Sequence, residues 1–183
     1  MTYYGGKELA DAFRTVRGNT IQIAEDIPEH LYGFKPAPDV SSVGETLKHI
    51  AVSTGFQSHI HGNKVTDLKT VNFMDIRAKF VAEEAKLQTK AEIITALKSN
   101  GDAFASYLES VPESVLAEQV TMPPGATPAT KSRFEMLLSA KEHEMHHRGQ
   151  LMTMERMNGI VPHVTRAAQE RMARMTAAQT AKA

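Results

Sequence analysis

The chain has 183 residues, with 21 Lys plus Arg balanced by 21 Asp plus Glu. It is long enough to bury one core, and it carries no bulk field to draw it onto nucleic acid or an anionic membrane. With no cysteine anywhere, disulfides, thiolate metal sites and a cysteine nucleophile are excluded, which fits a reducing compartment.

Near the start no basic stretch leads into an apolar block, and no run is long enough to span a bilayer, so the expected location is the cytoplasm. Apolar residues recur at helical spacing from Leu9 through Phe13, Val16, Thr20 and Ile23 to Ile27, and Pro28 stops them: helix one. The segment from Tyr32 to Val40 holds Gly33, Pro36 and Pro38 and reads as a connection. Ser42-Val43-Gly44-Glu45 is a capping box that opens helix two, which runs from Ser42 to about His61 before Gly62-Asn63 ends it. Lys64 to Phe73 is weakly patterned and long enough to cross from one end of a bundle to the other.

A third helical region begins near Met74 as a short helix, and a second capping box, Thr89 to Glu92, opens a main helix three from Thr89 to Ser110. Pro112 closes it, and the loop from Met122 to Pro128 is expected to line a site entrance. Helix four runs from Lys131 to Met157, with Asn158-Gly159 as its stop signal. The tail from Thr165, rich in alanine, arginine and methionine, is expected to be helical only where something packs against it. No strand pattern with turn chemistry is visible. The expectation is an all-α protein: one helical domain over residues 1–160 and a C-terminal tail over 161–183.

The chemistry concentrates in histidine. His143 and His147, four apart on helix four, project about 40° from each other, and their arc also holds Met136, Ala140, Leu151 and Met154. Imidazoles buried on such an arc need polar partners, and a divalent cation takes both at once. His49 is the candidate third ligand, sharing a helix-two face with Ser53, Phe56 and Ile60. Three neutral imidazoles with open positions describe a catalytic type of site. Against this stands the plainer reading of a lone histidine as a hydrogen-bonded core residue. His143-Glu144-Met145-His146-His147 also matches H-E-x-x-H, in which Glu144 would be the general base of a metalloprotease. No third-ligand extension of the protease type follows it, so that reading ranks below the three-histidine one. His146 reads as a packing neighbour, His59 and His61 as end-of-helix residues, and His30 and His163 as serving no metal.

Leu47-Lys48-His49-Ile50 and, more specifically, the run from His143 through Arg148-Gly149-Gln150 to Leu151 resemble the DinB/YfiT-like metalloenzyme family, across about residues 7–160. The resemblance implies a four-helix bundle with a long crossover between helices two and three, metal binding by His49, His143 and His147, and a homodimer. Family members include enzymes that move a low-molecular-weight thiol onto an electrophile or isomerise a substrate with its help. The expectation is therefore a metal-dependent enzyme that uses zinc or nickel to activate a thiol or water toward a small-molecule substrate. A non-catalytic metal-binding stress-response bundle is the alternative. Arg148 is assigned a salt bridge or helix packing, Gln150 a place near the site or a bond across the bundle, and Gly149 a close helix contact.

Overall fold

Proline and glycine punctuate the chain where the sequence places them, and the computed structural model, which describes residues 4–180, sets helices between them. These are α1 (Gly6–Asp26), α2 (Val43–Gly62), α3 (Phe73–Glu84), α4 (Lys90–Ser110), the single turn α5 (Glu113–Leu116), α6 (Arg133–Met157) and α7 (His163–Thr180). The expected capping boxes form: Ser42 Oγ accepts from the Glu45 N–H while Glu45 accepts from the Ser42 N–H, and Thr89 with Glu92 does the same. A third box, Ser132 with Glu135, starts α6.

The bundle consists of α1, α2, α4 and α6, with α1 and α2 each packed against both α4 and α6. Cross-helix contacts fix the directions. Lys90 at the start of α4 donates to carbonyls of Glu25 and Ile27 at the end of α1, so these two run antiparallel. Tyr4 meets Phe134 and Arg17 meets Glu144, so α1 and α6 run parallel. His61 meets Arg133 while His49 meets His143, so α2 and α6 run antiparallel. Consecutive bundle helices α2 and α4 are therefore parallel, and their connection has to travel the length of the bundle. That crossover contains α3.

Two expectations need correction. A short antiparallel pair, β1 (Gln119–Thr121) with β2 (Thr130–Ser132), flanks the loop before α6, where no strand was expected. Three-residue strands carry too little alternation to be read locally, and this pair is anchored from elsewhere: the Thr121 N–H donates to the Thr66 carbonyl on the crossover. The tail is also helical well beyond its packed start. Its first turn is held to α1, with Arg166 bonded to Asp26 and His163 to Asn19, while residues 167–180 are exposed. Residues 181–183 of the tail lie outside the described residues.

The apolar core is split by charge. One cluster around Leu9, Phe13, Phe104 and Leu137 lies toward the start of α1, and another around Ile23, Leu47, Ile93 and Leu151 toward its end. Between them sits Arg17, buried with Glu144. Its Nε lies 2.9 Å from Glu144 Oε1 and its Nη2 2.9 Å from Oε2, while Nη1 donates to the Leu97 carbonyl and Nη2 to that of Ile50. One guanidinium thus ties α1 to α2, α4 and α6. Gly101 on α4 leaves the space, since a Cβ there would lie 2.8 Å from Arg17 Cγ.

Replacing one partner of such a pair strands the other charge in the core. Arg17→Met is expected to lower the unfolding free energy by roughly 3–5 kcal/mol, and Arg17→Met with Glu144→Leu to recover much of that loss. Urea denaturation measures both, and a loss below about 1 kcal/mol for the single variant would contradict this role.

Candidate functional site

α6 divides its charged and imidazole groups between two faces. Glu144 lies at the centre of the buried arc, and His143 and His147 lie toward one edge of it, half-buried instead of facing away from water as expected. On α2 the deeply buried residues include Leu47, Ile50 and Ala51, so His49, Ser53 and Phe56 form a flank that lines a cavity and is not the core stripe itself. The two flanks face each other because α2 and α6 pack antiparallel.

The three expected histidines meet there. His143 Nε2 lies 3.1 Å from His49 Nε2 and 3.1 Å from His147 Nε2, and one ring nitrogen from each residue lies within 4.8 Å of the others. Among the described residues this is the group of histidines and carboxylates whose donors converge in this way. Metal–nitrogen bonds of 2.0–2.1 Å would set ligand nitrogens about 3.3 Å apart in a tetrahedral site, close to this spacing.

The outer nitrogens fix the ring orientations. His49 Nδ1 lies 3.3 Å from Glu84 Oε1, and His147 Nδ1 lies 2.8 Å from Gln150 Oε1. Both oxygens accept, so each of these rings carries its hydrogen on Nδ1 and turns an Nε2 lone pair toward His143. Burial, then the neighbouring imidazoles, push His143 down to about 4, and burial also lowers His147. A single hydrogen on His143 Nε2 could serve only one of the two facing lone pairs. A divalent cation suits all three, so the donor set fits such an ion.

A cavity of about 390 Å³ adjoins the rings, lined by His49 and His143 together with Phe56, Gln57, Phe80 and Ser139. A second, of about 470 Å³, lies between α2 and α3 and reaches Glu84. α3 therefore covers the site, and Gly55 lets it approach, because a Cβ there would lie 3.0 Å from Phe80 Cε1. The Met122–Pro128 loop lines neither cavity, against expectation.

Glu144 has both carboxylate oxygens on Arg17 and is 1% exposed, so it is not placed to serve as the general base of an H-E-x-x-H protease. His146 is exposed with its ring packed on His147. Arg148 is half-buried and forms no ion pair among the described residues, which leaves helix packing as its role, while a Cβ on Gly149 would meet nothing within 4 Å, so the close helix contact expected there is not made. Glu84 was missed by sequence reasoning, since it lies 35 residues from its partner on a helix with weak patterning. His61 was misread: it is 4% exposed, with Nδ1 3.1 Å from Arg133 Nη1 and Nε2 3.0 Å from Gln57 Oε1.

Comparison with known proteins agrees with this architecture. A family model described as the DinB superfamily matches residues 12–151. The uncharacterised protein YjoA of Bacillus subtilis (strain 168) is 24% identical over 152 residues, spanning 83% of this chain and 90% of its own. The crystal structure of YjoA, a DinB-like protein, superposes with a TM-score of 0.60 at 23% identity, covering 83% and 92% of the two chains. YfiT from Bacillus subtilis, described as "a probable metal-dependent hydrolase with an unusual four-helix bundle topology", gives 0.67 at 13% identity over 87% and 91%. An uncharacterised protein from Clostridium difficile 630 gives 0.63 at 11% identity over 85% and 98%. No helix among the described residues is long and apolar enough to cross a membrane.

The surroundings of His61 set its titration. Burial, then the Arg133 charge, push it from 6.5 to about 4. Its neutral form is the folded one, so its stabilising contribution is complete above 6.5 and is lost as the pH falls through that value toward 4. Glu155, buried and pushed up to about 7, acts in the opposite sense, losing its contribution as the pH rises, so whole-protein stability would mix the two. Ring NMR is the clean measurement: the His61 midpoint is expected near 4, and a midpoint near 6.5 would contradict its environment.

Proposed function

From the premise that the chain belongs to the DinB superfamily, we propose that it is an enzyme dependent on a divalent metal ion, zinc or nickel, held by Nε2 of His49, His143 and His147. The observation that carries this reading is the convergence of three ring nitrogens, two of them oriented from behind, beside a cavity. When bound, such an ion supplies Lewis acidity, lowering the pKa of a water or thiol brought to it and stabilising negative charge on a substrate oxygen.

The chain's own residues do the rest. The three imidazoles come from two helices, and the cavity lies on their open side. Phe56 and Phe80 make that space apolar, which excludes bulk water and receives an apolar part of a small substrate. Glu84 and Gln150 accept the Nδ1 hydrogens and hold the rings with Nε2 inward. The chain contains no cysteine, so a thiol for transfer has to arrive as a low-molecular-weight co-substrate. Water is the nucleophile in the hydrolytic version, which the description of YfiT supports. Assays with activated esters or amides, with and without added thiol, separate the two.

The Arg17 layer and the apolar clusters hold the bundle without help from the histidines, so chelation is expected to remove activity and leave the far-UV circular dichroism unchanged. Unfolding on chelation would instead support a metal that serves only stability. His49→Ala, His143→Ala and His147→Ala should each abolish stoichiometric zinc in purified protein, whereas His30→Ala should keep it; full occupancy after losing any of the three rejects the ligand set. Glu84→Ala and Gln150→Ala should retain zinc but bind it roughly 10–100-fold more weakly, which competition with a chromogenic chelator reads directly.

A further inference from the structure

One polar side chain in the wall of the cavity is oriented from outside it. Arg133, 1% exposed, has only N–H groups to offer, so the 3.1 Å contact from its Nη1 makes His61 Nδ1 an acceptor. The neutral His61 ring therefore carries its hydrogen on Nε2 and donates it to Gln57 Oε1 at 3.0 Å. That places the oxygen of the Gln57 amide toward His61 and leaves its NH2 group for the other side. One of those hydrogens goes to Ser139 Oγ at 3.3 Å, which accepts because Ser139 spends its own hydrogen on the Met136 carbonyl at 2.6 Å. The second amide hydrogen has no protein partner among the described residues, and both Gln57 and Ser139 line the cavity beside His49 and His143.

We infer that Gln57 is a specificity-determining residue that donates a hydrogen bond to an acyl oxygen, a carbonyl or carboxylate, on an otherwise apolar substrate. The remaining lining supports this assignment. Val52, Phe56, Phe80 and Ala140 are apolar, and Ser53 donates its hydrogen to the Ile50 carbonyl. The Arg133 charge at the far end of the relay polarises each bond in turn and strengthens the final donor. A network serving only to satisfy buried groups would show no preference between ligands of equal shape. The inference rests on the cavity being the reactant side of the proposed site, and it makes no use of the ion.

Acetophenone and α-methylstyrene are the probes, having the same shape but differing in a carbonyl oxygen against a methylene. NMR titration of the metal-free full chain gives their affinity ratio, and comparing variants cancels their difference in hydration. The ratio is expected to fall roughly threefold to tenfold toward α-methylstyrene in Gln57→Leu. An unchanged ratio, or no binding of either probe to the wild-type cavity, overturns the inference. The tautomer of His61 gives a test that needs no variant: long-range proton–nitrogen NMR should find its hydrogen on Nε2, and a hydrogen on Nδ1 would reverse the amide and sink the assignment. Because the protein is metal-free throughout, these outcomes are independent of whether the three histidines bind zinc.

Discussion

A guanidinium cannot lose its charge inside a protein, so burying Arg17 obliges the bundle to supply acceptors around it. They come from three other helices: the Glu144 carboxylate, the Ile50 carbonyl and the Leu97 carbonyl. Two of these acceptors are chain neighbours of the metal-site candidates, since Ile50 follows His49 and Glu144 follows His143. Satisfying the arginine therefore fixes the height at which α2 and α6 face each other, and that height is where the imidazole nitrogens come to 3.1 Å. A buried ion pair adds little stability over a well-packed apolar replacement. Its effect here is on register, and the register assembles the site.

Topology contributes the roof. Parallel α2 and α4 require a connection spanning the bundle, and part of that length is folded as α3 over the open side of the histidines. α3 carries Phe80 into the cavity wall and Glu84 to His49 Nδ1. The same crossover that makes the bundle order unusual thus encloses the cavity and orients one ring. The other ring support, Gln150, comes from α6 itself, three residues after His147.

Much of this is legible in the sequence because it is local. Capping boxes, proline stops and the 40° phase between His143 and His147 involve residues a few positions apart, and the structure keeps them. What is not legible is charge that has been buried. Arg17, Arg133, Glu144 and Glu155 all sit in the core, where composition alone assigns such residues to the surface, and each is explained only by neighbours distant in sequence or, for the Glu155 carboxylate, by none among the described residues. His61 was misread for the same reason, its partner Arg133 lying 72 residues away. The two strands escaped notice because their pairing is nonlocal and three residues long. The resemblance of the His143–Leu151 run pointed to the right family, but it did not separate Gln150, which holds a ring, from Gly149, whose Cβ position faces no other element within 4 Å.

The central claim is that the three rings form one open site, and locating the ion tests it most directly. Anomalous diffraction from crystals of zinc-loaded protein should place a single ion about 2.0–2.2 Å from Nε2 of His49, His143 and His147, with no fourth protein donor on the side that faces the cavity. An ion held through Nδ1, closed off by a fourth protein ligand, or bound away from these residues would contradict the account.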